Sequence, residues 1–251
     1  MVFQAHLATV SLCIGFPDQA LARSNAAIGE ARRLAHPPSL AAASHIRAVL
    51  LSLVGDDTAL GEWADQLIAV TTEQGFPLWG ALGTIFRGYF EAKNGGVRKG
   101  IALLRNGSVA YRGTGAEVWM PFHIALLARA CEIAGQIQEA VSQLDDALQI
   151  AERTGVRWYA AELNRHKGEL LVRQGYAEGA EELYLKALGI AREQEAKLWE
   201  LRAAASLARL WCDQGRHVEA RDLLAPIYGW FTEGFDTQDL KEAKALLDEL
   251  R

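Results

Sequence analysis

The chain has 251 residues, half of them hydrophobic and 23% charged, with 23 glycines, 6 prolines and 3 cysteines. That composition excludes a collagen-like, disulfide-stapled or wholly disordered chain. Lys and Arg number 26 against 31 Asp and Glu, a net charge of −5, which leaves no basic footprint for nucleic acid. The start, Met1 to Phe16, lacks the basic n-region of a signal peptide. The longest apolar stretch, Leu40 to Val54, is interrupted by His45 and Arg47 and falls short of a bilayer span. Cys13, Cys131 and Cys212 are widely spaced and match no metal pattern. The expectation is a soluble, cytoplasmic protein without membrane or nucleic-acid partners.

A fixed interval organises the chain. Glycine stands at 15, 55, 95, 135, 175 and 215, one every 40 residues, and such self-similarity marks a repeat architecture. Gly75, Gly115 and Gly155 form a second set midway, which the early units and position 195 break. In chain order, the first two units carry the pattern faintly, with Ala20 and Leu60 five residues after their glycines. The third has Gly100 and Gly107 at small positions. Glycine costs roughly 1 kcal/mol there in helix propensity, so this helix is expected to be the weakest.

The later units read more sharply. In the fourth, Ile124, Leu127, Ala128, Cys131 and Ile133 recur close to a 3.6-residue period before Gly135 ends the helix. Its partner, 137–154, places Ile137, Ala140, Val141, Leu144, Ala147, Leu148 and Ala151 on one face before Gly155. The fifth unit parses as 158–174 with 177–194, and the sixth as 197–214 with 217–231. No run alternates with the period of two that strands require. Ala128, Gly168 and Ala208 on one side and Ala140, Ala180 and Ala220 on the other are small enough for helices to approach within about 8–10 Å. Trp79, Trp119, Trp158 and Trp199 start first helices at repeat spacing, as core anchors between units.

Beyond the sixth unit, Pro226 is expected to kink or stop the second helix. Asp236 or Thr237 is placed to cap a final helix in which Leu240, Ala243, Leu247 and Leu250 share a face. The chain thus divides into a repeat array over 1–235 and a capping helix over 236–251, with Tyr228, Trp230, Phe231 and Phe235 packed beneath the cap.

The order of small and large positions resembles the tetratricopeptide repeat (TPR). Gly168, Leu171, Ala180, Tyr184 and Ala187 in the fifth unit stand at that family's helix-packing spacing, as do Ala208, Trp211, Ala220, Leu224 and Ile227 in the sixth. The period of 40 departs from the family's 34, and the usual proline near the end of the second helix is missing. The resemblance implies an all-α fold, a right-handed α-solenoid of about six 40-residue helix-turn-helix repeats whose first helices line a concave face. The stretch Leu224–Leu250 further resembles the C-terminal end of large bacterial signalling proteins. These join a class III nucleotide cyclase or a winged-helix DNA-binding domain to a regulatory ATPase and then to a helical arm. That resemblance implies a protein-interaction or sensing arm, fused to or associated with a cyclase or ATPase module. Nothing in this chain matches the cyclase or ATPase portions.

Catalytic signatures are sparse. Asn94-Gly95-Gly96 lacks the Lys-Ser/Thr ending of a phosphate loop. The six histidines show no metal-ligand spacing, and the carboxylate pairs Asp56/Asp57, Asp145/Asp146 and Glu181/Glu182 point about 100° apart on a helix, so they do not converge. The expected function is therefore non-catalytic, with no cofactor: a protein- or peptide-binding scaffold. Its ligand contacts are expected on the first helices, at Tyr89, Arg129, Arg165, Glu169, Arg173, Arg202 and Arg209. Arginine forks there suit the carboxylates of an acidic peptide. The asparagines of a carboxylate clamp for chaperone tails do not stand at these positions. A closed helical toroid with an active site in its loops is the alternative of another class, but the short glycine-governed turns leave it little room.

Overall fold

The computed structural model describes residues 2–250. Among them the chain forms α1 (Val2–Cys13), α2 (Pro17–Arg33), α3 (Pro37–Val54), α4 (Asp57–Gln74), α5 (Pro77–Lys93), α6 (Val97–Gly113) and α7 (Met120–Ile133), then α8 (Ile137–Thr154), α9 (Ala160–Arg173), α10 (Ala177–Glu193), α11 (Lys197–Asp213), α12 (His217–Tyr228) and α13 (Gln238–Glu249). No strand occurs among the described residues. The fold is an all-α, TPR-like repeat of six helix pairs followed by one further helix, with the odd-numbered helix first in each pair.

The interval of 40 is halved in the backbone. A left-handed residue stands at each of 15, 35, 55, 75, 95, 115, 135, 155, 175, 195 and 215. Nine are glycines, but Ala35 (φ +46°) and Glu195 (φ +53°) adopt the same conformation where the glycine pattern fails. The turn therefore belongs to the repeat, and glycine is only its least strained occupant. Glu195→Gly is expected to raise stability by up to about 1 kcal/mol, whereas Gly175→Val lowers it by about 1–2 kcal/mol through strain alone. A Cβ on Gly175 would meet nothing within 4 Å, so sterics with neighbours do not enter. Thermal denaturation of the two variants checks the opposite signs.

The small residues lie where helices cross. Ala8, Ala48, Ala128 and Ala208, each seven residues before a turn glycine, are completely buried, as are Ala20, Ala140, Ala180 and Ala220. At Gly168 the missing side chain makes room for the Tyr184 ring, which a Cβ would meet at 2.6 Å. The α5–α6 crossing differs from what helix propensity alone implies for α6. Gly88 and Gly100 face each other there, and a Cβ on Gly100 would fall 2.5 Å from the Gly88 carbonyl oxygen and 2.6 Å from the Ala92 nitrogen.

The described chain forms two compact bodies. One comprises the residues up to Val10 together with Gln19–Val156, and the other Ser11–Asp18 together with the chain from Arg157 onward. In the first, α3 packs on α4 and α5, and α5 on α6 and α7. The helix α3 is long and apolar enough to cross a membrane by length and composition, with a mean hydropathy of 1.2, yet it buries Ile46, Val49, Leu50 and Leu51 in this core. His45 and His123 are buried among aromatic rings. The His45 ring meets Trp119 edge-on at 5.0 Å, His123 meets Tyr111 at 5.2 Å, and the two imidazoles stand 6.4 Å apart.

In the second body α9 packs on α10 and α11, and α11 on α12 and α13. The contact of α11 with α13 repeats that of α9 with α11, so α13 takes the place of a seventh first helix. Its buried face is Leu240, Ala243, Leu246 and Leu250, with Leu247 only half-buried. Thr237 precedes the helix, but its hydroxyl donates to the Gly234 carbonyl at 2.7 Å rather than capping it. Pro226 neither stops α12, which runs on to Tyr228, nor heads a uniformly buried aromatic set. Phe231 is buried, Tyr228 is half-buried, and Trp230 and Phe235 stay 39% and 49% exposed. Among the four tryptophans expected as anchors, Trp199 is fully buried and Trp79, Trp119 and Trp158 are half-buried.

Candidate functional site: charged stripes on the first helices

Helical spacing sets charged residues in stripes on α9 and α11. Glu162, Arg165, Glu169 and Arg173 are three and four residues apart on α9, and Arg202, Ser206 and Arg209 follow the same rule on α11, so each set shares a helix face. Glu162 and Arg202 are one repeat apart, and their side chains meet, with Arg202 Nη1 donating to Glu162 Oε2 at 3.0 Å. Arg165 forks onto Glu162 through Nε (2.6 Å) and Nη2 (3.1 Å), while its Nη1 donates to Glu169 and to Ser206 Oγ at 3.3 Å. Arg202 also forks onto Asp239 of α13, at 2.7 and 2.8 Å. The result is a ladder of alternating charge across α9, α11 and α13.

Most of this ladder is sheltered from water. Glu162 and Arg165 are buried, at 3% and 8% exposure. Burial opposes the Glu162 charge, but Arg165 and Arg202 together overcome it and hold the carboxyl down at about 2. For Arg202, burial likewise opposes the charge, and Asp239 and Glu162 outweigh it, so its guanidinium is held protonated more firmly than usual. Trp199 completes the support. Its Nε1 donates to the Trp158 carbonyl at 3.1 Å, and the Arg202 guanidinium lies 5.2 Å from the Trp199 ring. A network whose donors and acceptors are mutually satisfied fixes geometry more than it adds stability.

The seven expected contact residues therefore separate. Arg165 and Arg202 are turned inward and engaged by carboxylates, and Glu169 is half-buried against Arg165. Arg173 and Arg209 are exposed at the far end of the two stripes. In the other body, Tyr89 is buried with Lys93 Nζ 5.6 Å from its ring, and Arg129 is half-buried and paired with Glu132 at 3.1 Å.

A neighbour of the ladder comes from the far end of the sequence. Cys13 stands close enough to Arg202 and Glu162 to feel both charges, and burial pushes its thiol up to about 12. Nothing in the spacing of charges marked that meeting. Cys131 is fully buried, as a small hydrophobe should be, but Cys212 is half-buried with its Sγ 3.3 Å from His217 Nδ1. The five-residue separation across the α11–α12 turn was the available sign of that pair. Among the described residues, no three metal-ligating side chains converge.

No protein-family model matches the chain. Among curated proteins, an uncharacterized protein of Rhizobium meliloti (strain 1021) is 32% identical over 133 residues. The match takes in 53% of this chain but only 13% of the relative's length. Solved structures share the fold at low identity. A Rap protein complexed with competence and sporulation factor has a TM-score of 0.69 at 14% identity, covering 99% of this chain and 76% of its own. NprR in complex with its cognate peptide NprX scores 0.58 at 15% identity, covering 98% and 76%. A putative kinesin light chain from Podosopora anserina, with nearly identical TPR-like repeats, scores 0.51 at 21% identity, covering 77% and 95%.

Proposed function

We propose that the chain is a non-catalytic scaffold that binds an acidic peptide or protein segment along the α9 and α11 stripes. The observation that carries this reading is the division within those stripes. Arg165 and Arg202 are braced by Glu162, Glu169 and Asp239, while Arg209, with no ion-pair partner among the described residues, is exposed one repeat beyond Glu169. A guanidinium on a rigid helix face can fork onto a carboxylate with little ordering cost. Two proteins of this fold are solved with a bound factor or peptide, which supports the choice of ligand class.

The test is selection from a random-peptide library on the immobilised full chain. Enriched peptides should carry Asp or Glu and bind at least about tenfold more weakly to Arg209→Glu, since a charge-assisted fork is worth about 1.5–3 kcal/mol. Arg105→Glu on the second helix α6 should leave binding unchanged. Failure to enrich any peptide, or equal affinity for Arg209→Glu, overturns the assignment.

A second reading concerns the chain's setting. The Rhizobium match occupies about an eighth of a much longer protein, which supports a segment of a longer chain; we propose that this segment is the sensing arm of a bacterial signalling protein that carries a cyclase or ATPase module. Sequencing the DNA on either side of the coding region decides it: an in-frame nucleotide-binding core supports the arm, and an in-frame neighbour of another kind counts against it.

A further inference from the structure

The aromatic end of the C-terminal body carries an occupant from the start of the sequence. Ser11–Asp18 forms the close of α1, a turn and the opening of α2, and it belongs to that body. Gly15 lies so near the aromatic pair that a Cβ there would meet Trp230 Cζ3 at 2.6 Å and Phe231 Cε1 at 3.1 Å. The Phe16 ring stands edge-on to Trp230 at 5.5 Å. The Asp18 carboxylate accepts a hydrogen bond from the Gly234 backbone N–H at 3.1 Å. Pro17 seats against Gly234, where a Cβ would fall 2.0 Å from Pro17 Cγ. Glycine on both sides thus permits an interlocking fit between segments more than 200 residues apart.

This seam differs from a helix crossing. Its polar content includes one backbone N–H on an exposed carboxylate, and its aromatic platform is only partly covered, with Trp230 and Phe235 retaining 39% and 49% of their surface. Lys197 Nζ lies 5.7 Å from the Trp230 ring, which sets a positive charge at the platform's edge. We infer that the surface formed by Trp230, Phe231, Lys197 and the Gly234 N–H is a docking site, that Ser11–Asp18 is its built-in occupant, and that it accepts a partner segment with an aromatic residue two positions before a carboxylate. Such a segment would reproduce the Phe16 ring contact and the Asp18 hydrogen bond, and would displace the turn. Arg209 is not among the residues that form this surface, and its variant is not used in the test below, so either assignment can fail without the other.

Cys13 reports on the exchange. Cys13 is half-buried beside Arg202 and Glu162 while the segment is seated, and a partly covered, protonated thiol alkylates more slowly than an open one. The experiment measures the iodoacetamide reaction of Cys13 in the full chain by mass spectrometry, with fully buried Cys131 as the internal reference. The probe is a synthetic peptide copying residues 11–18 with Ser in place of the cysteine. Excess probe should accelerate Cys13 alkylation at least tenfold and leave Cys131 unchanged. Probes with Ala in place of the Phe or the Asp should have no effect. Trp230→Ala should react fast with or without the probe. Asp18→Ala, which leaves the platform intact, should react faster than the natural chain and respond to less probe. If the two substitutions accelerate Cys13 but the probe does not, the seam is permanent and the docking assignment is overturned. It is equally overturned if Cys13 ignores Asp18→Ala.

Discussion

Gly100→Ala is expected to lower stability by about 2–4 kcal/mol, against the roughly 1 kcal/mol gain that helix propensity assigns to alanine over glycine. The atoms that a new Cβ would strike are the Gly88 carbonyl oxygen at 2.5 Å and the Ala92 nitrogen at 2.6 Å. Both are backbone, so no rotamer change relieves the clash, and α5 and α6 must move apart along their crossing. The same substitution at Gly189 of α10, where nothing lies within 4 Å, should stabilise by about 0.5–1 kcal/mol. Denaturant titration of both variants, with amide exchange across 77–113 in the first, reads the two opposite signs. Equal or raised stability for Gly100→Ala would show that the close crossing is not required.

Mild acid should unfold the body that holds His45 and His123. Desolvation lowers His45 to about 3, with His6 adding a smaller repulsion, and it lowers His123 well below the ordinary histidine value, with His45 adding to the effect. Both imidazoles are neutral in the folded chain, whereas in the unfolded chain each titrates near its ordinary value of about 6.5. Below that pH the unfolded chain binds protons that the folded chain refuses. Stability is therefore complete above about pH 6.5 and is lost as the pH falls from there toward about 3. Each unit of pH costs about 1.4 kcal/mol for His45, or about 3 kcal/mol by pH 4.5, and His123 acts in the same direction. The depressed Glu162 carboxyl acts in the same direction at lower pH, from its ordinary value of 4.5 down to about 2. A His45→Leu/His123→Leu chain should lose most of the slope between pH 6.5 and 4.5. An unchanged slope would mean that other groups carry the acid response.

Much of this fold is legible one helix at a time. The glycines spaced 40 apart and the alanines seven before and five after them mark turns and crossings, because a left-handed turn and a close approach each restrict the residue type locally. Ala35 and Glu195 show the limit, since they hold the same turn without its usual residue. The candidate site was legible as a set of charged first-helix positions, but not as an arrangement. Arg165 has Glu162 and Glu169 three and four residues away on its own helix, a spacing the sequence shows, whereas only the packing of α9 against α11 and of α11 against α13 brings Arg202 to Glu162 and Asp239.

The sequence by itself determined the all-α class, the number of helix pairs, the positions of the glycine turns and the small residues at the crossings. Each of these depends on residues within one or two turns of helix. The tertiary structure alone decided that Glu162 joins Arg202, that His45 and His123 serve as buried aromatic packing, and that Ser11–Asp18 seats against Trp230 and Gly234. Those contacts join residues one repeat apart or more, and no local periodicity encodes a meeting of Asp18 with Gly234. Hydrogen bonding and burial select such pairs only once the helices have packed.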